Sequence, residues 1–261
     1  MKKMFFPLVR YYNLIKNIEN WYLHFSIKLG FTNDDPVMFK ARNNVLVETP
    51  QALIHAFKEI FMEECYMHGM GLELSDRPII FDIGANVGLF SLYAASKYPN
   101  AKILSYEPMT VNFKHVEKNK NLNKHCRIIP INKAVAGHLG EITMVCEQDT
   151  DFSTTATIMS DKSDNNKEVT VSCLRLQDIF DEYKIDKCDF MKMDCEGAEF
   201  DVIYGCPTDY LSRINQIAME VHGDQKTNEE LKKYLTHNGF EVHEMEYALG
   251  MMYARNISNN I

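Results

Sequence analysis

The segment Ile79 to Phe90 reads IIFDIGANVGLF, and it restricts the possible folds more than any other stretch of the chain. A run of strand-forming residues reaches a carboxylate, Asp82, then passes through Gly84, Asn86 and Gly88 into an apolar helical pattern. Glycine lets a backbone approach a ligand with no Cβ in the way. A helix beginning near Gly88 presents unpaired N–H groups. Strand, glycine turn and helix in this order make up the ligand edge of a doubly wound sheet.

The alternation continues downstream. Strands are expected at 79–83, 102–106, 127–132, 189–193 and 216–221, with helices at 88–97, 111–122, 199–204 and 228–238, the last stopped by Gly239. Strands alternating with helices predict an α/β fold around a parallel sheet. Two segments depart from this rhythm. GEITMVCEQ (140–148) and EVTVSCLRL (168–176) alternate apolar and polar residues at period two, which predicts an inserted β-hairpin. The polar stretch 149–166 between them reads as a long loop, either a substrate lid or plain disorder.

The domain boundary is expected near Arg77, giving an N-terminal extension (1–77) and a main domain (78–261). In the extension, residues 1–30 read as helix and 36–49 as a hairpin about Asn43-Asn44. Residues 50–66 read as a second helix with Pro50 at its start. Lys2 and Lys3 imitate the start of a signal peptide, but Arg10, Lys16 and Glu19 interrupt the apolar run that would have to follow. No apolar run reaches the ~20 residues of a transmembrane helix. The first helix should therefore pack on the main domain or on a second subunit, making a homodimer plausible. The alternative is peripheral membrane contact through Phe5, Phe6, Tyr11, Tyr12 and Trp21.

Charge and cysteine usage exclude some classes. With 28 basic and 36 acidic residues the net charge is −8, and no basic stripe suits nucleic acid. Lys114–Lys124 reads as a solvated helix face. Seven cysteines with no Cys-x-x-Cys argue against a disulfide framework and a zinc site, and for reduced thiols in a cytoplasm.

The glycine turn lacks the Gly-x-Gly-x-x-Gly spacing of a dinucleotide site. Asp82 ahead of the first glycine would repel a pyrophosphate. A sulfonium-bearing ligand without phosphate, S-adenosylmethionine, suits it better than a nicotinamide cofactor. The next strand ends SYEP, placing Glu107 where a carboxylate can bond both ribose hydroxyls, with Pro108 offering a flat surface to an adenine. Asp194, Glu196 and Glu199 crowd the end of another strand in FMKMDCEGAEFDVI. Such crowding raises carboxyl pKa values unless a cation relieves it. A sulfonium, a protonated substrate or a metal could do so, and Glu196 and Glu199 could alternatively cap the following helix.

FDIGANVGLFSLYAA, SYEP, NFKHVEKNKNLN, NKAVAGHLGEI and DFMKMDCEGAEFDVI occur in this order between Pro78 and Gly223. Together they resemble the FkbM family of methyltransferases. The resemblance implies a class I, Rossmann-like fold, S-adenosylmethionine as cofactor, and O-methylation of sugar or polyketide hydroxyls. It implies that Asp82, Gly84, Asn86 and Gly88, with Ala85 among them, frame the methionine part. Glu107 would hold the ribose, Ala134 would lie near the adenine, and Asp194 and Glu196 would face the methyl group.

Transfer to an alcohol calls for a base at the carboxyl edge of the sheet. His222 in AMEVHG is expected there as base or substrate ligand, with Asp194 and Glu196 as competing bases and Lys192 as an ion-pair partner of Asp194. Asp194, Glu196, Glu220 and His222 could also hold magnesium or manganese, although nothing in their spacing requires a metal. The expected activity is O-methylation of a capsule, lipid-linked or nucleotide-linked sugar. The alternatives are a small-metabolite or peptide acceptor, or a binding protein without catalysis.

Overall fold

The computed structural model describes residues 2–67, 74–147, 166–244 and 250–258, with side chains from 8 onward except at 147 and 166. The extension begins with α1 (Lys2–Asn17) and α2 (Tyr22–Lys28), followed by strands β1 (Val37–Lys40) and β2 (Leu46–Thr49). The single helix expected over 1–30 is broken because Ile18 bridges to Ala41 and Glu19 donates its N–H to the Lys40 carbonyl. Asn43 and Asn44 take φ of 56° and 57°, the left-handed pair that a two-residue hairpin turn needs.

The helix expected over 50–66 is a 3₁₀ turn (Gln51–Leu53), the short α3 (Ile54–Phe57) and a wide π turn (Lys58–Met62). That path stacks Phe57 between Phe39 and Phe61, at centroid distances of 4.0 and 4.9 Å. It also presents the Phe61 and Met62 carbonyls to the buried Asn17 and Asn13 amides.

The main unit contains β3 (Ile79–Ile83), α4 (Leu89–Lys97), β4 (Lys102–Tyr106), α5 (Thr110–Leu122), β5 (Arg127–Ile131) and β6 (Ala134–Val135). There follow β7 (Gly140–Glu147), β8 (Asn166–Leu174), α6 (Leu176–Tyr183), β9 (Phe190–Met193), α7 (Glu199–Gly205) and α8 (Thr208–Leu211). The chain closes with β10 (Gln216–Glu220), α9 (Gln225–His237), β11 (Phe240–Glu244) and β12 (Met251–Asn256). Seven strands form one sheet in the order β11-β12-β10-β9-β3-β4-β5. It is mostly parallel, and only β12 runs antiparallel to its neighbours. β11, β12 and α6 were not anticipated from the sequence. The inserted pair β7–β8 is present, joined by β6 in a separate three-stranded sheet. The loop expected over 149–166 lies, except for Asn166, outside the described residues.

Strand alternation divides the core between the two sheet faces. Ile80, Ile103, Phe190, Ala218 and Tyr253 point to one side, where α4 and described residues of the extension cover them. Phe81, Leu104, Met191, Ile217 and Met252 point to the other, under α6, α7 and α9. The extension thus shares one hydrophobic cluster with the sheet. On α5 the lysines stay outside, but Asn119 and Asn123 are buried and pair with the backbone of Glu48 and Leu46, extending the edge of β2.

Candidate active site

The glycine turn is fastened to the neighbouring strand end. The N–H groups of Gly84 and Ala85 both donate to the Tyr106 carbonyl, at 3.0 and 2.9 Å. Gly84 has φ +75°, and a Cβ there would lie 1.7 Å from the Asp194 carbonyl oxygen, so only glycine can occupy the position. Asn86, at φ +52°, donates its N–H to Glu107 Oε2 at 2.8 Å. The Met109 N–H donates to Glu107 Oε1 at 2.9 Å, and Asn132 Nδ2 holds the Glu107 carbonyl at 2.8 Å. Glu107 is buried, and burial pushes its carboxyl up to about 7 against the pull of the two N–H groups. Each of its oxygens keeps a lone pair for a ligand hydroxyl.

These groups face one cavity. Gly84, Asn86, Glu107, Pro108, Ala134, Asp194 and Glu196 line it, together with Met109, Val135, Ile142, Met144, Cys195 and Ala198. Among the expected site residues, Asp82, Ala85, Gly88 and His222 are not part of that lining. Asp82 is fully buried beneath the turn. Its Oδ2 accepts from Ser91 Oγ at 2.6 Å, and its Oδ1 lies 3.6 Å from Lys192 Nζ. Asp82, Ser105 and Lys192 sit at one register on β3, β4 and β9, on the side covered by the extension. Ala85 is buried in the turn itself, and Gly88, at φ +86°, starts α4.

The acids at the end of β9 are balanced by groups drawn from elsewhere. Lys192 Nζ lies 3.6 Å from Asp194 Oδ2 and donates to the Gly84 carbonyl at 2.5 Å. Burial alone would lower the Lys192 pKa, but the charges of Asp194 and Asp82 outweigh it and hold it above the ordinary value. Tyr66, from the extension, donates its hydroxyl to Asp194 Oδ2 at 2.8 Å, and its ring lies 5.2 Å from the Lys192 ammonium. Sequence reasoning missed Tyr66, because no local pattern connects it to Asp194.

Glu199 is fully buried and closes its own loop, accepting the Cys195 N–H at 3.0 Å and the Gly197 N–H at 3.1 Å. It also holds His222 Nδ1 at 3.2 Å, while His222 Nε2 lies 3.6 Å from Glu196 Oε2. The Glu199 bond raises the His222 pKa to about 9, against burial and with help from the charges of Glu199, Glu196 and Asp194. Burial would raise the Glu199 carboxyl, but the His222 bond and charge hold it below its ordinary value. Burial and the Asp194 charge push Glu196 up, and the same two causes push Glu220 up to about 7. A base must be deprotonated to accept a proton, and the Glu199 contact favours the imidazolium form of His222 up to about pH 9. Asp194, Glu196 and His222 bring one ligand atom each within 4.8 Å of one another, a possible metal set that does not include Glu220.

A family model described as the methyltransferase FkbM domain matches residues 82–242, more than half of the chain. The chain belongs to this family. FkbM relatives with curated names include "Methyltransferase sdnD" of Sordaria araneosa, 29% identical over 213 residues, covering 71% of this chain and 81% of that protein. The "31-O-demethyl-FK506 methyltransferase FkbM" of Streptomyces tacrolimicus is 26% identical over 221 residues, with coverages of 71% and 81%. The "Hexuronic acid methyltransferase AglP" of Haloferax volcanii is 21% identical over 150 residues, 58% of each chain. A crystal structure of methyltransferase FkbM from Methylobacillus flagellatus KT superposes with TM-score 0.49 at 16% identity, covering 78% of this chain and 53% of that one. Membership in the FkbM family makes the protein an S-adenosylmethionine-dependent methyltransferase.

The cavity suits that cofactor. Asn86 Oδ1 is buried at its wall with no hydrogen-bond partner among the described residues. Glu107 stands beside it as a buried acceptor, and Pro108, Met109 and Val135 add apolar surface. All seven cysteines are free thiols. No helix among the described residues is long and apolar enough to cross a membrane.

Proposed function

We propose that the protein methylates a hydroxyl of a sugar, with Asp194 as the base. The bound cofactor supplies an electrophilic methyl on a sulfonium. Glu107 accepts from the ribose hydroxyls, Asn86 offers its free Oδ1, and Ala134, Val135 and Pro108 form the wall for the adenine. Asp194 takes the proton from the acceptor hydroxyl. Lys192 and Tyr66 fix the orientation of its carboxylate. Glu196 holds the acceptor, and His222, as an imidazolium, donates to a sugar oxygen.

The observation that carries the sugar reading is the surface beyond Glu196. An open depression there is lined by Glu220, His222, Gln225, Asn228, Glu229 and Glu244, which are hydrogen-bonding side chains suited to a polyol. The relative named as a hexuronic acid methyltransferase supports it. A small-metabolite acceptor is the second reading, favoured by the longer match to the 31-O-demethyl-FK506 methyltransferase. The acids already have Lys192 and protonated His222 as counter-charges, so we assign the reaction no divalent ion. Free thiols agree with a reducing, cytoplasmic location.

Incubation with methyl-labelled cofactor and parallel panels of sugar nucleotides, glycans and apolar alcohols tests the reading. Label in sugars, retained in the presence of a chelator, is the expected result. Label only in apolar alcohols would transfer the assignment to the second reading.

A further inference from the structure

The first 31 residues carry more than half of the large hydrophobic side chains that are exposed among the described residues. On α1 the inner stripe is already used: Asn13, Leu14 and Asn17 are buried against the π turn. Leu8, Tyr12 and Ile15 recur at helical spacing on the opposite stripe and face outward, Tyr12 at 67% exposure. Tyr11 stacks on Phe25 of α2 at 5.4 Å, which joins the two helices, and Tyr22 of α2 and Phe31 just beyond it are exposed as well, Phe31 at 80%.

This apolar face belongs to the basic part of an acidic protein. Residues 1–31 contain Lys2, Lys3, Arg10, Lys16 and Lys28 against a single acid, Glu19, although the whole chain carries −8. Arg10 and Lys16 are partly engaged by Glu63 and Glu64, at 3.1 and 3.6 Å. By sequence the segment keeps an excess of positive charge, with Lys28 at its end. Two copies meeting face to face through this surface would bring like charges together. A sheet of anionic headgroups would be attracted, and screening over about 10 Å would hide the acidic remainder of the molecule. Tyrosine and tryptophan beside lysine suit a headgroup layer, and the helices are too short to go deeper.

We propose that the α1–α2 face docks on an anionic lipid surface, lying in the plane of the headgroups. The inference does not depend on the acceptor and is read without methyl transfer. The experiment is co-sedimentation of the full chain with vesicles of phosphatidylcholine alone, or with about a third phosphatidylglycerol. Partition should be about tenfold stronger on the anionic vesicles and should weaken several-fold between about 0.1 and 0.5 M salt. The double variant Leu8→Gln/Tyr12→Gln should lose about tenfold while unfolding at the wild-type temperature. Lys28→Gln should lose about threefold, and Leu139→Gln, an exposed apolar residue at the inserted hairpin, should lose nothing. Equal or absent binding to both vesicle types would overturn the proposal. So would a wild-type dimer that the double variant converts to monomer in sedimentation with no vesicle binding, since the face would then belong to a second copy.

Discussion

The two halves of the candidate active site handle negative charge in opposite ways. Around the glycine turn the carboxylate that lines the cavity, Glu107, is served by the backbone N–H groups of Asn86 and Met109, only 21 and 2 residues away. Around β9 there are three acids. Besides the backbone N–H groups that Glu199 takes from its own loop, they are served by side chains from far along the chain, with Tyr66 128 residues from Asp194 and His222 23 residues from Glu199. The first half is built by local backbone geometry. The second exists only after the extension, β9 and the end of β10 have come together. A site of the first kind should bind its ligand even when distant parts are disturbed, whereas one of the second kind should lose its chemistry first.

The largest effect expected from this difference is on turnover. Asp194→Asn keeps the shape and removes the proposed base, so the rate should fall by about 10²–10⁴, the usual worth of general-base catalysis. Adenosylhomocysteine affinity, measured by calorimetry, should stay within about threefold. Equal losses in both would mean that the two halves act as one unit. Gly84→Ala tests the close approach of the two halves. Its Cβ would meet the Asp194 carbonyl at 1.7 Å, and the φ of +75° adds strain. We expect a loss of about 3 kcal/mol or more in urea unfolding, together with failure of cofactor binding.

Smaller effects sharpen the contrast. Glu107→Gln sets an amide NH₂ against one of two backbone donors, and should weaken adenosylhomocysteine by about ten- to a hundredfold. Above about pH 7, where Glu107 is ionised, the pH dependence of stability should come from the other half. The His222 pKa is raised from 6.5 to about 9 in the folded chain. Its contribution is therefore complete below pH 6.5 and disappears as the pH rises through about 9. Thermal melts of the wild type should decline over that window, and those of His222→Gln should decline less. An identical decline in both would assign the slope to other groups.

The same contrast explains what could be read from the sequence. β4 was legible to the residue, because Lys102–Tyr106 is a strand-forming run closed by Glu107-Pro108. The glycine turn and Glu107 were legible because their partners are near in the chain. The burial of Asp82 was not recognised, although strand alternation puts it on the face of Ile80 and away from Ile83. The charge state of His222 could not be read, since it depends on Glu199 lying 3.2 Å away, a distance fixed by two different strand ends. The break between α1 and α2 was hidden for the same reason, as it is set by pairing to the hairpin edge at Ala41.

The smallest effect is also the most direct test of whether the extension is part of the chemistry. Tyr66→Phe keeps the ring beside Lys192 and beside Phe90, where it packs edge-on at 5.5 Å. It removes only the hydroxyl bonded to Asp194 Oδ2. One hydrogen bond to a charged group should cost about 1.5–3 kcal/mol if its acceptor stays dry, and less here because the Asp194 side chain is 25% exposed. Urea unfolding should therefore show a loss of about 1 kcal/mol. If Tyr66 merely fills space, turnover will be unchanged. If it aims the carboxylate, turnover should fall several-fold with the cofactor Kd unaltered, and the extension would then contribute to the reaction through a single oxygen.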